Sequence, residues 1–320
     1  MTPSTDPDAH SPVDVLAIVG PTAVGKTAVA EEIAVRLRSE IISADSMQVY
    51  RGMNVGTAKP NPAERRVPYH CIDVVAPGEP FSAALFQAEA RQAIGEISAR
   101  GSVPVLVGGT GLYVRAALDD WVFPSGEQRD NPVRARYEAL ATEQGGAALH
   151  QLLAKRDPAS AALIHPNNVR RVVRALEMLD EGSSYAEQNE GFAVRESVYN
   201  ARIFGLTMER TTLYERIDSR VDEMIASGLV SEVERLLEAG FRDALTAAQA
   251  IGYKELVPVV ESGAPLGDAI EAIKQASRRY AKRQLTWFKG DPRVQWIDVT
   301  ELSVSETADR VLSALDWSSA

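Results

Sequence analysis

The sequence predicts an α/β fold, a parallel sheet flanked by helices and interrupted by a small helical insertion, and three observations carry that prediction. Short apolar runs alternate with helical patterns over about the first 120 residues, as βαβ units do. The first run leads directly into Gly20-Pro21-Thr22-Ala23-Val24-Gly25-Lys26-Thr27, which meets G-x-x-x-x-G-K-[ST] at every required position. A later run, residues 103–107, enters Gly108-Gly109-Thr110-Gly111, at the strand end where open α/β sheets hold their ligands.

Taken in order, residues 13–19 read as a buried strand, broken only by Asp14, and Val29, Ile33 and Leu37 then mark one face of a helix. Residues 40–44 are a short strand ending at Asp45-Ser46, and residues 71–75 a candidate strand. Residues 83–99 form a helix with Leu85, Ala88, Ala93 and Ile97 inward, stopped by Gly101. Turn formers and charges at 124–132 mark a departure from the sheet; from there to about 200 the pattern is helical and more polar, with a soft stretch at 181–190. Residues 202–206 return as a strand. Leu213, Ile217, Val221 and Met224 then stripe a helix closed by Gly228, and Ser231 with Glu234 is a candidate capping box for the next. The predicted organisation is a flexible tail at 1–12, a catalytic domain at 13–123 and 201–320, and an inserted helical subdomain at 124–200.

Hydrophobic residues make up 45% and charged residues 24% of the 320, ordinary values for a soluble globular chain. No apolar run approaches membrane-span length, the N-terminus lacks the features of a signal peptide, and Cys71 is the only cysteine, which excludes an internal disulfide and a cysteine metal cluster. A cytoplasmic monomer is the simplest expectation. His10, His70, His150 and His165 are scattered without metal-ligand spacing, so no zinc is expected. A net charge of −10 argues against binding nucleic acid over the whole surface. It leaves room for a local basic groove: residues 270–293 hold seven basic side chains against Glu271 and Asp291. On a helix Arg278 and Lys282 project opposite Ile270, Ile273 and Tyr280, with Arg279 and Arg283 flanking, a stripe suited to phosphates. A solvated face without a partner would look the same. Trp287 and Phe288 are either stacking platforms or core.

The glycine-rich loop has chemical work to do. Its N–H groups and the helix N-terminus behind it cradle a polyphosphate, as in ATP-binding proteins, while Lys26 adds a point charge and Thr27 a hydroxyl for Mg²⁺. A phosphate-loop hydrolase or kinase normally carries an aspartate at the end of a second strand; here that strand ends in Gly-Gly-Thr-Gly. The carboxylate available after a strand is Asp45, which could be a magnesium partner, a general base or a helix cap.

The run from Ser43 through Asp45-Ser46-Met47-Gln48 to Gly52, followed by Asn54-Val55-Gly56-Thr57-Ala58-Lys59-Pro60, closely resembles the tRNA dimethylallyltransferases (tRNA isopentenyltransferases). The resemblance continues in His70-Cys71-Ile72-Asp73, Gly108-Gly109-Thr110-Gly111-Leu112-Tyr113, Arg174-Ala175-Leu176-Glu177 and Ile251-Gly252-Tyr253-Lys254-Glu255-Leu256. It ends in Arg278-Arg279-Tyr280-Ala281-Lys282-Arg283-Gln284-Leu285-Thr286-Trp287-Phe288, so that it covers nearly the whole chain in order.

The resemblance implies a P-loop kinase-like fold in which the loop holds the diphosphate of dimethylallyl diphosphate, with transfer of the five-carbon unit to N6 of the adenine just 3′ of the tRNA anticodon. No γ-phosphate is cleaved, which fits the missing aspartate. By the same resemblance Asp45 acts on the exocyclic amine, Thr110 lies beside the adenine, and Gln48 and its neighbours Asp45, Ser46 and Met47 bond nucleotide edges. Arg220, four residues after Arg216 on one helix face, stabilises the leaving diphosphate, although Glu215, Asp218 and Asp222 nearby also allow a salt-bridged surface. Arg170, Arg171 and Arg174 reach the anticodon stem-loop together with Arg278, Lys282 and Arg283. Competing readings are prenylation of free adenine nucleotides, a phosphate-loop ATPase or kinase, and an RNA-binding protein with a relic loop.

Overall fold

The computed structural model describes residues 13–123, 131–244 and 246–315; the expected tail at 1–12 and part of the expected insertion boundary lie outside them. The described residues form two compact units, those up to 118 together with those from 197 onward, and those between 119 and 196.

The first unit is built on six parallel strands in the order β3-β2-β4-β1-β5-β6. Strand β1 (Val15–Val19) is buried along its whole length, as a central parallel strand must be. Helix α1 (Lys26–Arg36) follows the loop, then β2 (Ile41–Ser43), β3 (Tyr69–His70), α2 (Ala83–Ala99), β4 (Val105–Gly108) and α3 (Gly111–Leu118). Val29, Ile33 and Leu37 are all buried against the sheet, each stabilising it by roughly 1.5–3 kcal/mol.

The strand expected at 71–75 is only Tyr69–His70, with an isolated bridge from Tyr50 to Val75; left-handed backbone at Cys71 (φ 58°) and Asp73 (φ 56°) breaks it. Helix α2 has the expected bounds but a rotated inner face: Phe86, Ala90, Ala93, Ile94 and Ile97 are buried, whereas Leu85 is exposed.

The second unit is helical: α4 (Pro132–Gln144), α5 (Gly146–Arg156), α6 (Pro158–Leu163), α7 (Val169–Asp180) and α8 (Tyr185–Ala193). Leu149, Leu153, Val172, Val173 and Leu176 form its core. The soft stretch is helix α8, started by Ser184, whose side chain accepts from the Ala186 N–H.

The chain then returns through β5 (Ala201–Thr207), α9 (Arg210–Ala226), α10 (Leu229–Glu238), α11 (Val257–Ser262), α12 (Leu266–Lys289), β6 (Val294–Asp298) and α13 (Val304–Ser313). Leu213, Ile217 and Val221 bury the inner stripe of α9. The Ser231–Glu234 capping box does not form: Gly228, left-handed at φ 92°, is the junction, and α10 begins at Leu229.

Candidate active site

The phosphate loop lies at the C-terminal end of β1, with Gly25 left-handed (φ 101°) as the N-cap of α1. Ala23 is also left-handed (φ 64°), a costly conformation for a residue with a Cβ and of the kind found where backbone N–H groups are turned toward an anion. Pro21 and Val24 are buried, Thr27 is exposed at the rim, and Lys26 Nζ donates to the Pro21 carbonyl oxygen at 2.6 Å. Burial, and next the Arg220 charge, push Lys26 down to about 7 despite the opposing pull of Asp45. A lysine so destabilised as a cation is poised to gain an anionic partner.

Two cavities meet over this loop. The smaller, about 70 Å³, is lined by Lys26, Thr27, Ser43, Gly108, Gly109 and Gln284 among others. The larger, about 460 Å³, is lined by Met47, Gly56, Ile251, Tyr253, Arg279 and Arg283 among others. Thr22, Asp45, Thr57, Arg220 and Tyr280 line both, so Asp45 and Arg220 stand at the junction.

The turn after β2 explains how Asp45 is held. Its Oδ1 accepts from the Met47 N–H at 2.9 Å, the cap-like contact its position allowed, while the carboxylate still borders both cavities. Thr110 Oγ1 accepts from the Ser46 N–H at 3.1 Å and donates to Ser46 Oγ at 3.3 Å. Thr110, expected beside the acceptor, braces the Asp45–Ser46 turn through these bonds. Gln48 is likewise bonded at both ends of its amide: Ser43 Oγ donates to its Oε1 at 2.9 Å, and its Nε2 donates to the Thr57 carbonyl at 3.2 Å. Gln48, expected to bond a nucleotide edge, ties these two segments together and lines the smaller cavity.

Helix α12 clamps the opposite side. Gln284, 6% exposed, accepts from the Thr22 N–H at 2.8 Å and donates to the Gly109 carbonyl at 2.9 Å. One amide thereby joins the phosphate loop to the turn after β4. Close approach makes this turn glycine: a Cβ at Gly108 would lie 2.1 Å from the Ala44 oxygen, and one at Gly109 2.1 Å from Gln284 Nε2. One turn earlier on α12, burial and next the Asp45 charge raise the Tyr280 hydroxyl to about 12.

The basic residues separate on inspection of their partners. Arg278 Nη1 binds both Asp218 oxygens at 2.5 and 2.6 Å, and Lys274 pairs with Asp222. Arg278 is therefore committed across α9 and is not the free charge its helical position suggested. Arg279 and Arg283 line the larger cavity, with Arg283 over the Tyr280 ring at 5.5 Å, while Lys282 is exposed on the outer face. Phe288 is buried and Trp287 is 46% exposed. On α9, Arg220 faces the site, and the Arg216 guanidinium lies 3.8 Å from where a Cβ on Gly25 would sit.

In the helical unit Arg170 and Arg171 are exposed. Arg174 is held by the fully buried Glu177 at 2.9 Å, which Arg134 also binds at 2.8 Å. That motif is a buried ion cluster before it is a surface.

Two organising residues escaped the sequence reading. Gln284 sits four residues after Tyr280, inside a stretch read for its cations, its aromatics and its family resemblance, with no role given to the glutamine. Glu232 occupies an inward position among Leu229, Val233 and Leu236 on α10 and is 1% exposed; an acid on an apolar stripe was the signal. Lys59, its side chain 2% exposed, bonds Asp73 at 2.6 Å and the Tyr50 carbonyl at 2.7 Å, which ties two further matched motifs together. Among the described residues no group of three or more His, Cys, Asp or Glu could hold a metal. The hydroxyls of Thr27 and Ser43 and the Asp45 carboxylate in the smaller cavity are hard oxygen donors of the kind that complete a phosphate-bound Mg²⁺ shell. No helix of the described residues is long and apolar enough to cross a membrane.

Comparison with known proteins agrees along the chain. A family model for IPP transferase matches residues 48–291, and one for isopentenyl transferase residues 13–67. The tRNA dimethylallyltransferase of Geobacillus thermodenitrificans is 52% identical over 289 residues, 90% of this chain and 91% of the relative. That of Bacillus subtilis is 50% identical, covering 89% and 91%. Among solved structures, the full-length tRNA isopentenylpyrophosphate transferase of Bacillus halodurans superposes with a TM-score of 0.68 at 46% identity, covering 94% of this chain and 96% of the other. A eukaryotic dimethylallyltransferase acting on tRNA gives 0.76 at 30% identity, covering 93% and 77%. With half its residues shared over nine-tenths of its length, and with the same fold, the chain belongs to the IPP transferase family, that of the tRNA dimethylallyltransferases.

Proposed function

We propose that this chain transfers a dimethylallyl group from dimethylallyl diphosphate to N6 of the adenine 3′-adjacent to the anticodon of a tRNA. The observation that carries the reading is the meeting of two cavities at Asp45 and Arg220, one floored by a phosphate loop and the other lined by Arg279, Arg283 and Tyr280. The first suits a diphosphate, the second a nucleobase with its flanking phosphates.

In this arrangement Lys26, Arg220 and the loop N–H groups bind the diphosphate and receive the negative charge that develops as the allylic C–O bond breaks. The electron pair of that bond leaves on the diphosphate oxygen. The N6 lone pair forms the new C–N bond, and the amine proton passes to the Asp45 carboxylate. Thr27 would hold a Mg²⁺ ion, whose contribution when bound is neutralisation of diphosphate charge. Thr110 and Gln48 fix the turn that aims Asp45. Arg170, Arg171, Lys282 and Arg283 are proposed to contact tRNA phosphates; Arg174 and Arg278 serve mainly their own ion pairs. A cytoplasmic monomer suffices for this work.

A phosphate-loop ATPase would need a carboxylate at the end of β4, where Gly108 and Gly109 leave no room for any side chain. Turnover of ATP without RNA, measured beside transfer from dimethylallyl diphosphate to unmodified tRNA, separates the two: ATP turnover with no transfer would sink the proposal.

A further inference from the structure

We infer that Glu232 is a positioning residue for the acceptor: its buried carboxylate holds two walls of the larger cavity in register without touching the base. The inference rests on the tRNA-acceptor reading above.

The carboxylate receives three consecutive backbone donors, the N–H groups of Asn54 at 3.0 Å, Val55 at 2.9 and 3.1 Å, and Gly56 at 3.2 Å. The Tyr253 hydroxyl donates to the same carboxylate at 2.6 Å. Gly56 and Thr57 line one wall of the cavity and residues 249–254 another, whereas Glu232 is not part of the lining. Both walls therefore hang on one side chain behind them.

The contact is tight. A Cβ at Gly56 would lie 2.5 Å from the Tyr253 ring, so the two walls pack with no room for adjustment. From the held loop, the Thr57 carbonyl accepts from Gln48, and Gln48 accepts from Ser43 beside Asp45. A linked series of bonds thus runs from Glu232 to the turn that carries the catalytic carboxylate. The chemistry requires an anion: only an acceptor-only group with two oxygens satisfies three parallel N–H donors and a hydroxyl, and a buried carboxylate is stable there because every lone pair is used. The phosphate loop is not among its partners.

The test is steady-state transfer by the full chain with unmodified tRNA and dimethylallyl diphosphate, together with donor-diphosphate affinity measured separately. Glu232→Gln turns an NH₂ group toward the three amides; KM for tRNA should rise roughly tenfold or more with a fall in kcat, while donor affinity stays within about twofold. Tyr253→Phe keeps the three amide bonds and should raise the tRNA KM several-fold. It decides the matter if Glu232→Gln does not fold. A merely structural role would lower the active fraction and leave both KM values unchanged; that result, or a wild-type tRNA KM in folded Glu232→Gln or in Tyr253→Phe, overturns the inference. Absence of transfer by the unaltered chain would instead overturn the acceptor reading.

Discussion

Binding of the donor diphosphate should draw a proton onto Lys26. Enclosure beside Arg220 lowers this lysine from 10.5 to about 7 in the unliganded protein, so that roughly a tenth of the ammonium is present at pH 8. A diphosphate in the loop favours the charged form, and uptake should approach about 0.9 proton per site at pH 8. Above pH 7 the apparent donor affinity should then fall by up to about tenfold per pH unit, and it should be level just below. Calorimetry in two buffers of different ionisation enthalpy measures the uptake directly. Lys26→Met should abolish it along with transfer. Folding stability has its own sign. Between pH 7 and 10.5 the unfolded lysine binds the proton that the folded one releases, so the cost to the unliganded fold is complete below pH 7 and fades as pH rises toward 10.5. Lys26→Met should therefore raise the melting temperature of the unliganded protein at pH 6.5 and raise it less at pH 9.5. Donor binding with no proton uptake at pH 8, and with an affinity constant from pH 7 to 9, would refute this picture of the loop.

Other consequences can be checked separately. Asp45→Asn keeps the Met47 contact, since Asn caps as Asp does; single-turnover transfer should fall by roughly 10²–10⁴ at every Mg²⁺ concentration, whereas a defect that shrinks as Mg²⁺ is raised would make Asp45 a metal partner. Replacing Arg279 and Arg283 with Ala should weaken tRNA binding and shallow its salt dependence by roughly one unit of slope per lost phosphate contact, while Arg278→Ala, which frees only Asp218, should leave the slope nearly unchanged. Glu177→Ala strands Arg134 and Arg174 around a buried hole and should destabilise the helical unit by about 3–5 kcal/mol, read as early loss of its helix signal on heating.

The fold was largely legible because parallel strands and amphipathic helices are local patterns. β1, α1, α2, β5 and α9 follow from runs and stripes that need no knowledge of their neighbours. The errors fall where tertiary contact decides. Leu85 loses its inward place to Phe86 because the rotation of α2 is set by what it packs on, and Ser231 is passed over because Gly228 already turns the chain. At the site, the loop from Gly20 to Thr27 is marked by its own local pattern, while Asp45 and Arg220, singled out by resemblance, both line the two cavities. Side chains acting at long range were not legible. Gln284 meets Thr22 across 262 positions and Glu232 meets Asn54 across 178, and composition carries no trace of either pairing. The same limit explains Arg278: helical spacing places it on a basic face, but only the path of α9 brings Asp218 against it.

One chain is proposed to join a prenyl diphosphate to a tRNA adenine. Incubation of the purified chain with unmodified tRNA, dimethylallyl diphosphate and Mg²⁺, followed by digestion and nucleoside mass analysis, tests it most directly. The expected product is N6-(dimethylallyl)adenosine at the position 3′ of the anticodon, in an amount that depends on Lys26 and Asp45. Unmodified adenosine there, with the prenyl group still on its diphosphate or found on free adenine nucleotides, would contradict it.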